Sequence, residues 1–216
     1  MDEYISLISK SILFSGIKIS NIQQAIAFLN GKIHNYKKGD IIHKAYTPLV
    51  KFGLVLKGVV NVCCDDFDGN SMILNAVEKG KTFGESLYIL KKCDSPMYAY
   101  SVEDSVILWL NCDNIFNNQS KDYDLLRINF TKMLAERTLL MNSRIQALSK
   151  LKLRDKIVTY LSEYMSKAGS KTFNIPLNRE NMAAYLGTDR TSLSRELSRM
   201  KNEGIIDYYK NTFKIL

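Results

Sequence analysis

The stretch Thr188-Asp189-Arg190-Thr191-Ser192-Leu193-Ser194-Arg195-Glu196-Leu197-Ser198-Arg199-Met200 follows Asn178-Arg179-Glu180-Asn181-Met182-Ala183-Ala184-Tyr185-Leu186-Gly187. Together they read as two short helices joined by a tight glycine turn. Asn178 suits the N-cap of the first helix, because its side-chain oxygen can take an orphan backbone N–H. Met182, Ala183 and Leu186 give that helix one apolar face. Gly187 can take the left-handed conformation that ends a helix. Asp189 caps the second helix and complements its positive end. Leu193, Leu197 and Met200 recur at four- and three-residue steps and point inward together. Arg190, Thr191, Ser194 and Arg195 are left outward near the N-terminal end, with Ser192 beside them. Such a helix enters the major groove of DNA by its first residues, while its predecessor lies across the backbone. An outward arginine can hold O6 and N7 of guanine bidentately, and hydroxyls reach bases or phosphates. Two strands then follow, Gly204–Tyr209 and Thr212–Leu216, around a turn at Lys210-Asn211. A hairpin directly after a recognition helix is a wing.

Charge agrees with that partner. The 216-residue chain carries a formal +8, and residues 150–216 hold 13 Lys/Arg against 7 Asp/Glu, a net +6. The excess therefore sits on the helix-turn-helix end, the electrostatic footprint of a double-stranded DNA operator. No run approaches the 18 or more apolar residues that a bilayer span needs, and the acidic opening Met1-Asp2-Glu3-Tyr4 does not read as a secretory signal. No membrane partner is expected, and the expected location is the cytoplasm. Cys63, Cys64, Cys93 and Cys112 show no ligand spacing, so the default is reduced thiols and no metal site. No Ser/His/Asp set, metal cluster or P-loop is present, so an enzyme is not expected.

Upstream, residues 4–30 carry helical spacing. From Lys32 to Leu110, short apolar runs are separated by glycines. Ile41-Ile42, Gly53–Leu56, Val59–Cys63, Met72–Leu74 and Ser105–Leu110 read as strands, with a hairpin turn at Asp66-Phe67-Asp68-Gly69-Asn70. Many short strands with regular turns mean a sandwich or jelly roll. Gly80-Lys81-Thr82-Phe83-Gly84-Glu85-Ser86-Leu87 interrupts them and runs into a helical turn. A loop entering a helix N-terminus is a natural anion site, with Glu85 placed to anchor a basic residue or a sugar hydroxyl.

From Lys121 to Leu148 the helical signal is unbroken by Gly or Pro and carries two apolar stripes. One is Leu126, Phe130, Met133, Leu140, Ala147 and Leu151; the other is Leu134, Met141, Ile145 and Leu148. A helix burying a single face needs only one stripe. Two stripes at coiled-coil spacings predict packing on its own barrel and on a second copy. Phe130, Leu134, Met141, Ile145 and Leu148 are the candidate interface of a parallel two-fold homodimer. Arg154–Ala168 follows as a helix with Ile157, Val158, Leu161 and Met165 inward, and Thr172–Ile175 as a first short strand of the winged domain. The expected fold is α+β: an N-terminal β jelly-roll sensor over 1–120, a dimerisation helix and hinge over 121–149, and a winged helix-turn-helix over 150–216.

This order of parts resembles the cyclic-AMP receptor/fumarate-nitrate regulator (Crp/Fnr) family over nearly the whole length. The most specific matches are Gly80…Phe83-Gly84-Glu85 and Leu186–Arg195. The resemblance implies a jelly roll like a cyclic-nucleotide-binding domain, a homodimeric transcription regulator controlled by a small-molecule effector, and RNA polymerase as a further partner. It places Arg179 at a phosphate, and Arg190, Ser194 and Arg195 at bases. Thr191 stands where the family commonly has Glu, so an unusual half-site is expected. It places the effector at Gly84, Glu85, Ser95, Pro96, Arg137, Met141 and Asn142, with Arg137 toward Glu85. Members that bind cyclic AMP carry an Arg-Ser pair where this chain has Ser95-Pro96, and no arginine occurs in residues 85–100. A lysine is a poor substitute for a bidentate arginine clamp. Cyclic AMP is therefore not the expected effector. The first 62 residues hold no cysteine, so an iron–sulfur cluster is not expected either. A haem, with His34 or His43 as ligand, a small aromatic acid or another metabolite stays open. The alternative function is a cyclic-nucleotide-binding regulatory module without DNA binding.

Overall fold

The computed structural model describes residues 2–65, 71–117, 123–175 and 177–216. The turn read at Asp66-Phe67-Asp68-Gly69-Asn70 and the start of the long helix at Lys121 lie outside these. The chain forms two compact units, Met1–Ala135 and Glu136–Leu216. They meet inside the long helix, whereas the sequence places boundaries at 120/121 and 149/150.

The first unit opens with α1 (Ile5–Lys10) and α2 (Ile22–Phe28), with short 3-10 turns around them. Eight strands follow: β1 (Lys32–Tyr36), β2 (Ile41–His43), β3 (Phe52–Lys57), β4 (Val59–Asp65), β5 (Ser71–Glu78), β6 (Thr82–Phe83), β7 (Met97–Ser101) and β8 (Ser105–Leu110). α3 (Glu85–Leu90) lies between β6 and β7, and α4 (Asp113–Asn117) follows β8. The strands make two antiparallel four-stranded sheets, ordered β1-β8-β3-β6 and β2-β7-β4-β5, a jelly-roll arrangement. Alternation of side chains assigns each strand's two faces. Val55, Ile107 and Trp109 face Val60, Val77 and Ala99 between the sheets. Phe52, Leu54, Leu56, Leu108 and Leu110 face outward, beneath α1, α2 and the start of the long helix. That second layer is why Phe52-Gly53-Leu54-Val55-Leu56 is buried on both faces and reads as a continuous apolar run.

The long helix α5 is Asp124–Leu148. In its first half Leu126, Phe130 and Met133 are buried in the sensor core. Phe130 lies edge-on to Phe52 and to Phe116, each with ring centroids 5.7 Å apart. Phe130 is therefore a core residue of its own unit and not an interface residue, which corrects the expectation. The spacing gave its angle around the helix correctly, but the barrel covers that angle. Leu134 is half-buried against the same core. Leu140 and Leu151, of the stripe that begins at Leu126, are exposed.

The second unit holds the end of α5, α6 (Leu153–Ala168), β9 (Thr172–Asn174), α7 (Arg179–Tyr185), α8 (Arg190–Asn202), β10 (Ile206–Tyr209) and β11 (Thr212–Ile215). The three strands form an antiparallel sheet ordered β10-β11-β9. Its core joins Ala147, Ile157, Tyr160, Leu161, Met182, Leu186, Leu193, Leu197, Met200 and Phe213. Tyr160, not Val158, completes the inner face of α6; Val158 is 43% exposed. Among the described residues no helix is long and apolar enough to cross a membrane.

Candidate nucleic-acid interface and effector site

Three local devices set the helix-turn-helix. The Asn178 side chain accepts the N–H of Asn181 at 2.8 Å and starts α7. Gly187, at φ +63, ends it, and a Cβ there would press to 3.2 Å of Leu148. The Thr188 N–H donates to the Ala183 carbonyl at 3.0 Å, closing the turn. Asp189 then accepts the N–H of Ser192 at 2.8 Å and starts α8. The Ser192 hydroxyl and backbone N–H hold the Asp189 carboxyl below the usual carboxylate range.

Leu193, Leu197 and Met200 are fully buried, so the opposite face of α8 is outward. Arg190, Thr191, Ser194, Arg195, Ser198, Arg199 and Asn202 line one open groove there, with Glu203 at its end. Thr191 and Arg195 stand one helical turn apart in the middle of that face, and both are exposed. Ser194 is half-buried, and Ser192 is half-buried and engaged by the Asp189 cap. Ser198 and Arg199 extend the face beyond what the sequence suggested; their i+4 spacing from Ser194 and Arg195 was the available signal. Glu196 and Glu203 are both engaged by one cation of α6. The Arg154 guanidinium donates to Glu196 at 2.6 Å and, bidentately, to Glu203 at 2.6 and 3.0 Å. Arg199 donates to the other Glu196 oxygen at 3.3 Å.

Arg179 is placed differently from Arg190 and Arg195. It is half-buried, its Nη2 donates to the Lys210 carbonyl at 2.9 Å, and its guanidinium lies 4.9 Å from the Tyr208 ring centre and 4.8 Å from that of Phe213. Tyr208 and Phe213 are cross-strand partners in the wing. Arg179 thus clasps the turn of the hairpin from the start of α7. Arg144, which interrupts the stripes of α5, caps the other end of α7. It donates to the carbonyls of Tyr185 and Ala184, both at 3.2 Å, and lies 5.3 Å from the Tyr185 ring. Lys156 adds a bond to the Leu186 carbonyl at 3.3 Å. Cations on the last carbonyls of a helix oppose the negative end of its dipole.

In the sensor unit Gly84, at φ +84, precedes α3 in a backbone conformation that L side chains rarely adopt. Glu85 is 1% exposed. Tyr88 locks α3 in place: its hydroxyl donates to Asp113 at 2.7 Å and accepts the Cys112 N–H at 2.8 Å, and burial raises its pKa. The Ser95 carbonyl accepts the Tyr46 N–H at 2.8 Å, its hydroxyl accepts the Met97 N–H at 3.3 Å, and Pro96 is exposed. Arg137, Met141 and Asn142 belong to the segment of α5 in the second unit. Arg137 is half-buried and the other two are exposed. His34 is exposed on β1. His43 pairs with Ala99, is buried, and its Nε2 has no hydrogen-bond partner. Burial lowers its pKa and favours the neutral ring. Among the described residues no group of three His, Cys, Asp or Glu is arranged to hold a metal ion.

A capped reader helix with a wing behind it, joined to a jelly-roll unit, defines a sensor-and-reader DNA-binding protein. Residues 155–216 match the model of the Crp-like helix-turn-helix domain, and residues 33–117 that of the cyclic nucleotide-binding domain. The cyclic AMP receptor protein of Thermus thermophilus is 23% identical over 210 residues, covering 95% of this chain and 92% of that protein. Among solved structures, CprK in complex with OCPA superposes with a TM-score of 0.71 at 16% identity, covering 90% of each chain. A CooA mutant from Carboxydothermus hydrogenoformans gives 0.67 at 20% identity, covering 93% of this chain and 92% of that one. The chain belongs to the Crp/Fnr family of transcription regulators. Its second unit carries that family's DNA-binding domain.

Proposed function

We propose that this regulator acts as a homodimer on operator DNA in the cytoplasm, by binding and not by catalysis, and that its jelly roll answers to a small effector other than cyclic AMP. The observation that carries this is the outward face of α8, where two arginines and a hydroxyl series stand free of the core while every apolar residue of the helix is buried. Groove insertion of such a face reads base edges. Met141 and Ile145, 60% and 61% exposed, with Leu148 at the next three-residue step, support a second copy as the occupant of that side of α5. Engagement of RNA polymerase follows from the family's role as transcription regulators.

The effector side rests on charge. The first arginine of the chain is Arg127, so the barrel strands and α3 carry none. A cyclic phosphate would be without a bidentate partner there. The Ser95 hydroxyl is already engaged by its own loop, and the neutral His43 offers a ring nitrogen inside the barrel. An uncharged or weakly acidic apolar ligand suits that lining.

Sequencing duplexes retained from a random library by the full chain tests the proposal. Two inverted copies of one half-site, with centres about 10 base pairs apart, are expected of a two-fold reader. Retention without any shared sequence would contradict it.

A further inference from the structure

We propose that Thr191 fixes a thymine in each half-site, beside the guanines that Arg190 and Arg195 read. The inference rests on the DNA-binding role of α8 above. It starts from what that face lacks. Over its first three turns the groove presents Arg190, Thr191, Ser194, Arg195, Ser198 and Arg199. None is a carboxylate. Of the three acidic residues of the α8 region, Glu196 and Glu203 are held by Arg154 at 2.6 Å each, and Asp189 is engaged as the N-cap by the Ser192 N–H. Cytosine shows the major groove an amino group, a donor, which a carboxylate accepts best and which the hydroxyls of this face accept more weakly. The guanidiniums of Arg190 and Arg195 are donors only. They match the two acceptors of guanine, N7 and O6.

Thr191 has a different complement. It is exposed, and it sits at the second position of the helix, one turn before Arg195. Its side chain carries a hydroxyl and a methyl group on one carbon. Thymine presents O4, an acceptor, beside its C5-methyl group. The hydroxyl donates to O4 while the two methyl groups bury each other. No other base pair edge offers an acceptor next to a methyl.

The test uses the full chain at low salt, where phosphate contacts keep affinity high. Library selection is run with the wild type, Thr191→Glu and Thr191→Ser. Glutamate is tolerated at an exposed first-turn position, since negative charge there favours the helix. The wild type is expected to select a thymine beside a guanine in each half-site. Thr191→Glu is expected to change that position to cytosine and leave the guanines in place. Replacing the thymine by deoxyuridine, which removes only the methyl group, is expected to weaken wild-type binding about fourfold per half-site, the effect of burying one methyl. Thr191→Ser is expected to be indifferent to the same replacement. A selected sequence that Thr191→Glu does not alter, or a wild type indifferent to deoxyuridine, would overturn the assignment while leaving the regulator intact. Retention without any common sequence would overturn both.

Discussion

Replacing Arg179 by alanine separates two roles, phosphate ligand and clasp of the wing. In the structure its guanidinium covers a cross-strand pair of rings at 4.8 and 4.9 Å and bonds the Lys210 carbonyl at 2.9 Å. Each half-desolvated cation–π contact contributes about 1 kcal/mol. A charged hydrogen bond to a carbonyl adds about 1.5 kcal/mol. The wing should therefore lose about 3.5 kcal/mol of local stability, roughly three-hundredfold in its opening equilibrium. Amide hydrogen exchange reads this directly on Ile206–Tyr209 and Thr212–Ile215. The expected result is exchange about three-hundredfold faster on those strands, with α6 unchanged. Arg179→Lys should fare little better, since an ammonium neither stacks nor forks like a guanidinium. A lost phosphate contact would look different: the slope of log affinity against log salt would fall by about 0.9. If that slope falls while the wing stays protected, Arg179 is a phosphate ligand and the clasp is refuted.

The remaining predictions concern the dimer, the effector and the cap. Met141→Glu with Ile145→Glu should give monomers by light scattering with circular dichroism unchanged, because each buried carboxylate costs at least about 2 kcal/mol; persistent dimers would place the interface elsewhere. Calorimetry with cyclic AMP should give no saturable heat, and a micromolar isotherm would overturn the argument from the arginine-free barrel. Asp189 sets the pH response of α8. Its carboxyl is depressed from 3.8, so the cap is fully present above that value and is lost as pH falls through the lower folded value. Amides at the start of α8 should lose protection in that acid range in the wild type. Asp189→Asn caps without titrating, so an acid loss that survives in this variant would count against the carboxylate.

What the sequence disclosed followed periodicity and chain punctuation. Asn178, Gly187 and Asp189 act within a few residues of themselves, so the reader's helices could be placed from the chain alone. The β3 and β8 strands announced themselves because both of their faces are buried. β1 did not, for it is an edge strand whose Lys32, His34 and Asn35 are exposed. Phe130 shows where periodicity stops. Spacing gives a residue's angle around a helix but not what covers it, and here the barrel does. Arg144 received no role from the sequence, and Arg179 was placed at a phosphate. Their partners are carbonyls and rings some 29 to 41 residues away, and no local pattern announces those. In the sensor, the missing arginine argued against one ligand without naming another, and the orphaned nitrogen of His43 became visible only with the strands paired.

The account depends most on α8 offering base-reading side chains outward. The direct measurement is the ratio of affinity for a selected operator to that for a scrambled duplex, at one salt concentration, for wild type and Arg195→Ala. Losing a bidentate guanine contact removes about 1–3 kcal/mol of discrimination in each half-site. The ratio should therefore fall at least about tenfold, while binding to the scrambled duplex changes little and the dimer stays folded. An unchanged ratio would contradict the claim.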